Sequence, residues 1–302
     1  MSQVALLGAV EIGLVFALVG LGVYLAFRVL DFPDLTVDGS FPLGAAVAAT
    51  MIVAGVNPWL ASLGAMAAGA VAGLVTATLN VRFRILHLLA SILTMIALFS
   101  VNLRVMGRPN VALIAQETVL TPFYGLGVPE HIVRPLFVLV VVAIVVLLLA
   151  RFLGSEFGLA MRATGVNARM ARAQGVSTDL HVYVGMALSN ALVGLAGALF
   201  AQTNGFADVT AGIGTIVVGL AAVIVGETVF RARRLLWILV GCVFGSIVYR
   251  LAIQFALSAD VIGLQASDLN LVTAVLVAVA LILPRVRVRA GGGRAPRRVP
   301  AQ

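Results

Sequence analysis

GSEFGLAMRATGVNARMARAQGVSTDLH, residues 154–181, is the longest polar run in a chain that is otherwise almost continuously apolar. Such a run belongs in water, and its punctuation predicts two short helices. Ser155 caps the first and Gly165 ends it; Asn167 caps the second and Gly175 ends that. A folded elbow between long apolar runs is therefore expected here, and the rest of the chain is read outward from it.

On both sides of the elbow the composition leaves one class of protein. With 62% of 302 residues hydrophobic and 11% charged, the chain has more apolar surface than a soluble core could hide, so it is expected to be a polytopic membrane protein. The first apolar run begins at Val4 with no basic residue before it, carries Glu11, and is not followed by a small-residue cleavage site. It reads as a permanent span and not as a removed signal peptide. Cys242 is the only cysteine, which excludes an internal disulfide or a cysteine cluster for metal.

All 20 basic residues are arginine. Without lysine there is no GxxxxGK[ST] phosphate loop and no Schiff-base chemistry, so any ATP that drives this protein must bind another chain. His87, His131 and His181 are scattered, HExxH is absent, and no serine stands in a recognisable catalytic arrangement. No enzyme active site, cofactor or metal centre is expected. The net charge of +8 comes from arginines at the ends of apolar runs and in the tail, a pattern that orients a membrane protein and does not point to nucleic acid.

A helical span takes about 20 residues, and the apolar runs give nine candidates: 4–28, 42–56, 59–80, 86–104, 132–153, 182–203, 211–230, 235–257 and 269–284. Placing the carboxyl end in the cytoplasm leaves Arg28, Arg82, Arg84, the elbow, the RARR turn and the tail inside, with Arg104, Arg108 and Arg134 outside. The amino terminus then lies outside. A permease-like domain over 1–284, with the elbow 154–181 inside, is followed by a basic tail, 285–302, that has nothing to bury and is expected to be disordered, its evident use being contact with anionic lipid. The stretch Val105 to His131 reads as an external loop with a short surface helix. Small residues in GAAVAATMIVAG, GAMAAGAVAG and GLAGALFA predict close helix packing.

Two stretches interrupt the helical pattern, DFPDLTVDGSFPLGAAVAA near the start and GFADVTAGIGTIVVGLAAVIVGE far downstream. Asp34, Leu35 and Thr36 match Asp208, Val209 and Thr210, while Gly39, Ser40 and Gly44 match Gly214, Thr215 and Gly219 one residue out of step. By the predicted topology the first copy follows a helix running inward and the second a helix running outward. Paired, inverted interruptions of this kind line solute paths in transporters. Asp34, Thr36, Asp38, Ser40, Asp208, Thr210 and Thr215 are the candidate path residues. For Asp38 a second reading stands beside the solute-facing one, as a cap for a helix beginning near Phe41.

The elbow fits the pattern G-x3-RA-x-G-x-N-x3-A-x3-G-[IV] at Gly158, Arg162, Ala163, Gly165, Asn167, Ala171, Gly175 and Val176. In this it resembles the membrane permeases of ATP-binding-cassette importers, in the family serving branched-chain amino acids and ribose. LTVDGSFPLGAAV is similar to a subgroup often described as permeases for tryptophan, tyrosine or unassigned substrates. The resemblance implies an all-α fold: a polytopic transmembrane helical bundle of the type II importer kind, with an inverted repeat of interrupted helices. It further implies a homodimer or heterodimer of permeases in the cell membrane of a prokaryote, two cytoplasmic ATPases that hold the ATP, and an external solute-binding protein. Gly158, Arg162, Ala163, Gly165, Asn167, Ala171 and Gly175 would couple to the ATPase. The solute would be small, with an amino acid favoured over a sugar or nucleoside.

A proton-coupled secondary transporter is the rival reading, since interrupted inverted helices are shared with it; a capped helical pair between spans has no obvious use there. Glu11 and Arg250 are charges inside spans, which pair with each other or reach the interface separately. Glu227 reads as half of a surface ion pair facing RARR.

Overall fold

The computed structural model describes residues 3–124, 129–230, 234–258 and 275. The ninth predicted span, the basic tail and Arg231 to Arg233 of the RARR turn lie outside the described residues. Within them, eight apolar helices form one bundle. Six are long and apolar enough to cross a membrane: α1 (Gln3–Val23, prolonged to Val29), α3 (Pro58–Val81), α4 (His87–Met106), α6 (Glu130–Leu153), α9 (Thr178–Asn204) and α11 (Leu235–Ser258). Two are shorter, α2 (Val37–Val53) and α10 (Thr215–Val229). These eight correspond to the first eight predicted spans. The external stretch holds β1 (Asn110–Ala112) and α5 (Thr121–Tyr124), and β1 pairs antiparallel with β2 (Phe206–Asp208), a ribbon the sequence reading missed.

Small residues set the spacing, as expected. A Cβ on Gly69 or Gly73 of α3 would collide with the Asn190 or Met186 carbonyl of α9, so the two backbones touch there. Gly44 of α2 meets Gly194 of α9 in the same way. Larger side chains fill the layer between α1, α2 and α9, where Phe16, Phe41 and Phe200 form a ring cluster with centroids 5.4 to 6.4 Å apart.

The first interruption has a visible cause. The end of α1 widens into a π-helical turn over Tyr24–Val29, and the chain then reverses at Asp31, whose φ is 55°. Residues 32–36 are non-helical, and α2 starts only at Val37. Phe16, midway along the run from Gln3 to Val29, stacks on Phe41 at 5.5 Å. The first turns of α2 therefore lie about halfway along α1, and the extended segment has climbed back into the bundle to reach them. From there α2 runs parallel to α9, with Ser40 bonded to Asn190 and Ala48 packed on Ala198.

The second interruption mirrors the first from the opposite end. Beyond α9 the chain forms β2 and descends through turns to Thr215, where α10 begins. From that start α10 runs back beside the second half of α1, with Gly20 against Ala222 and Glu227 paired with Arg28. The two short helices thus point in opposite directions, and their amino ends meet inside the bundle. This is the inverted repeat expected from the matched sequences.

Candidate functional site

Where the short helices meet, one side chain joins them. Asp38 Oδ1 accepts a hydrogen bond from the Ile216 amide at 2.7 Å and Oδ2 one from the Gly214 amide at 3.2 Å. Those amides belong to the first turn of α10, which has no partners within its own helix, and a carboxylate there also meets the positive end of the helix dipole. Asp38 is therefore a helix cap, as its chemistry suggested, but not of its own helix. Its own helix already begins at Val37, and the helix it caps lies 176 to 178 residues downstream. The fit is close: Pro42 leaves the Asp38 carbonyl without the usual amide four residues on, and Gly212 packs on that carbonyl, where a Cβ would collide.

The other candidate path residues divide by depth. Asp34, Thr36 and Ser40 are fully buried and bonded to neighbouring helices. Asp34 Oδ1 accepts from the Thr36 amide at 2.9 Å and Oδ2 from Asn190 Nδ2 at 2.8 Å. Asn190 Oδ1 in turn accepts from Ser40 Oγ at 2.7 Å, and the Thr36 and Thr76 hydroxyls pair at 2.7 Å. Each of these groups would cost several kcal/mol if left unpaired in hydrocarbon, so α9 and α3 supply what the interrupted backbone needs. In this arrangement the three side chains seal the segment and present no lining surface. Thr215 is buried as well.

At the opposite end Asp208 repeats the turn in the open. Its Oδ1 accepts from the Thr210 amide at 2.6 Å and from the Thr210 hydroxyl at 2.5 Å, and Oδ2 faces Asn110 at 3.4 Å. Partial burial pushes this carboxyl up, but the Thr210 and Asn110 bonds outweigh it and hold it below the usual carboxylate range. Between the two ends lies a cavity of about 390 Å³, lined by Asp38, Pro42, Phe99, Asn102, Val209 and Ile213 among others. Asn190, Thr76 and Asn102 were missed by sequence reasoning. Their signal was available: a polar side chain inside an apolar span needs a partner on another helix.

The elbow forms two helices, α7 (Glu156–Val166) and α8 (Ala168–Ala173). Ser155 Oγ accepts from the Gly158 amide at 3.3 Å, and Asn167 Oδ1 from the Met170 amide at 3.0 Å, so both predicted caps are present. Gly175 has φ +85° and ends the pair. Gly165 does not end a helix; it lies inside α7 and faces the Val29 carbonyl, where a Cβ would collide. Gly158 packs on the end of α6, and Ala171 is buried. Arg162, Ala163, Asn167 and Arg169 face outward beside Leu159, Val166 and Met170, of which Val166 is 88% exposed. Arg172 is exposed as well but is tied back to the elbow, donating to Thr178 Oγ1 at 2.8 Å and lying 3.7 Å from Asp179.

Three further charges find their places. Glu227 is half of a surface ion pair, but its partner is Arg28 at the end of α1. Glu11 and Arg250 do not pair with each other. Glu11 is near Thr203 and Arg134, and the Arg250 guanidinium lies 5.8 Å from the Phe16 ring centre.

Residues 6–284 match the family described as branched-chain amino acid transport system / permease component. A relative named tyrosine transport system permease protein, from Clostridioides difficile (strain R20291), is 35% identical over 264 residues, covering 87% of this chain and 86% of the relative. The galactofuranose transporter permease protein YtfT of Escherichia coli (strain K12) is 28% identical over 174 residues, 56% of this chain and 48% of that one. Among solved structures, a chain of PsaBC from Streptococcus pneumoniae in complex with Fab aligns with a TM-score of 0.55 at 17% identity, covering 96% of this chain and 95% of that chain. That likeness concerns the fold.

Proposed function

The chain belongs to the family of branched-chain amino acid transport permeases, and on that premise we propose that it is the membrane-spanning subunit of an ATP-driven importer for a small amino acid-like solute. A separate ATPase supplies the ATP site, an external binding protein delivers the solute, and a second permease subunit completes the assembly in the cell membrane of a prokaryote. The 35% identity to a tyrosine transport permease over most of both chains supports an amino acid as cargo. The meeting point of the two short helices, with Asp38 at its centre and Asp208 and Thr210 toward the outer end, is the stretch along which the solute passes.

The observation that carries the reading is the two-sidedness of the elbow. Its inner side is fixed to the bundle by Gly158 on α6 and Gly165 on the end of α1, while its outer side shows Leu159, Val166 and Met170 ringed by Arg162 and Arg169. An exposed apolar patch with a basic rim, on water-facing helices, marks a protein contact. Force applied there reaches α1, α6 and α9 directly, which suits a rocking bundle.

Val166→Asp tests this, because Val166 has almost no contacts within the subunit to lose. Its effect on subunit stability is expected to stay within about 0.5 kcal/mol. ATP-driven, binding-protein-dependent uptake in proteoliposomes, assembled with the partner ATPase, is expected to fall at least about tenfold, the effect of losing a hot-spot contact. Wild-type uptake by a fully assembled Val166→Asp transporter would remove the elbow from the coupling path.

A further inference from the structure

Between α3 and α4 the chain turns within Arg82–Leu86 and presents most of that stretch outward. Arg82, Phe83, Arg84 and Leu86 are all exposed, Phe83 at 66% and Leu86 at 77%. Arg28, Arg134 and Arg172 each have a carboxylate partner. Among the described residues, by contrast, neither the Arg82 nor the Arg84 guanidinium has a hydrogen-bond or ion-pair partner. Asp31, exposed beside Phe32, brings one carboxylate to the same region, against two guanidiniums.

The turn is nonetheless held to one shape. Asn80 Nδ2 donates to the Ile85 carbonyl at 2.7 Å, and the His87 ring that opens α4 stacks on Phe32 at 4.4 Å. Arg84 sits at φ 54°, a left-handed conformation in which glycine is the ordinary choice and a larger residue is strained. Two free cations therefore stand on a fixed backbone beside two exposed apolar side chains.

The depth of the turn follows from the helix contacts. Gly73 of α3 touches the Met186 carbonyl of the antiparallel α9, and similar lengths of helix lead from that contact to Arg82 on α3 and to Thr178 at the start of α9. Arg82 thus lies level with the end of a span, at the edge of the hydrocarbon on the elbow side. Along the span, α4 is the least buried of the six long helices. Its exposed Leu89, Leu93 and Ile96 follow Leu86 at helical spacing and continue the apolar surface of the turn. Arginines at the end of such a stripe reach the headgroup layer while their stems stay on apolar surface.

We infer that the α3–α4 turn is a binding site for an anionic phospholipid, with Arg82 and Arg84 on the phosphate and with Phe83, Leu86 and the α4 stripe along the acyl chains. A phosphate accepts from both guanidiniums in charge-assisted hydrogen bonds, and basic side chains beside exposed apolar ones at the end of a span are the combination that recognises an anionic lipid surface. A water-facing protein partner fits less well, because the apolar part of the patch runs on along the span and does not stop at its end.

The test reads lipid contact from a position outside the turn. Trp59→Phe and Trp237→Phe remove the two native tryptophans, and Leu93→Trp becomes the reporter, about 10 Å along α4 from Leu86 and so at the depth of mid-chain bromines. The full-length protein is reconstituted in phosphatidylcholine vesicles in which the same minor fraction of lipid is brominated phosphatidylglycerol or brominated phosphatidylcholine. With both arginines present, the phosphatidylglycerol is expected to quench more strongly. Arg82→Gln/Arg84→Gln is expected to lower that preference about fivefold for each arginine removed. Arg104→Gln/Arg108→Gln makes the same change of charge at the opposite end of α4 and is expected to keep the preference.

Equal quenching by the two lipids would overturn the proposal, and that comparison needs no arginine variant. A preference that survives in inserted Arg82→Gln/Arg84→Gln, or that is lost alike in both double variants, would also overturn it. Absence of quenching by either lipid would show that protein covers this face, from a second permease or an ATPase, and would reject the lipid site as well.

Discussion

Asp34–Thr36 and Asp208–Thr210 are the same turn placed in two different settings. In both, a carboxylate accepts from the amide two residues on, and in both the turn precedes a short helix that starts inside the bundle. The inner copy is sealed by Asn190 and Thr76. The outer copy rests on the β1–β2 ribbon, with Thr210 exposed. Local sequence thus fixes the turn, while the neighbouring helices decide whether it becomes a buried brace or an open rim.

The largest test of that contrast removes each carboxylate in turn. Asp34→Ala strands the Asn190 and Thr36 amides away from water, at about 1–3 kcal/mol each, so a loss of roughly 2–5 kcal/mol is expected. Asp208→Ala lies at the open rim and is expected to cost under about 1 kcal/mol. Unfolding of the two variants in detergent provides the measurement; equal losses would mean that the copies are energetically alike.

A middle-sized effect is expected where the copies are joined. Asp38→Ala leaves two first-turn amides of α10 uncapped, which costs about 0.5–2 kcal/mol. Asp38→Asn keeps an accepting oxygen and should retain most of that stability. Hydrogen exchange at Gly214 and Ile216 reads the difference directly, with the alanine variant exchanging up to about tenfold faster. Unchanged exchange in Asp38→Ala would show that the two halves are held together by something else.

The smallest effect belongs to the ion pair at the inner end. Arg28 and Glu227 are partly exposed, at 58% and 28%, so Glu227→Gln is expected to cost no more than about 1 kcal/mol. A larger loss would move the seal of the inner copy from the buried Asp34 network to this surface pair.

Signals that act over a few residues were legible in the chain. Ser155 and Asn167 cap the helices that they precede, the eight described apolar helices follow their runs, and the Asp-x-Thr match marks a true structural repeat. Contacts between distant segments were not. Glycine serves equally for a left-handed helix end and for close backbone approach, so Gly165 could not be told apart from Gly175 by sequence alone. Asp38 carried the chemistry of a cap, but its target sits on the far side of the repeat. Asn190 and Asn102 announced only that some partner was required.

The π-helical turn at Tyr24–Val29 gives the bundle a point where winding can change. It closes with wider bonds, Leu30 to the Leu25 carbonyl and Phe32 to the Ala26 carbonyl, and so holds one residue more than an α-helical turn would. Rewinding it as α-helix would rotate everything beyond it by about 100° and shift it by about 1.5 Å along the axis. Arg28, the Val29 carbonyl under the elbow and the reversal at Asp31 all stand on that stretch. On the proposed reading of the elbow, a push there would be delivered to the place in α1 where a small displacement becomes a large turn, with the buried Asp34 brace immediately downstream to receive it.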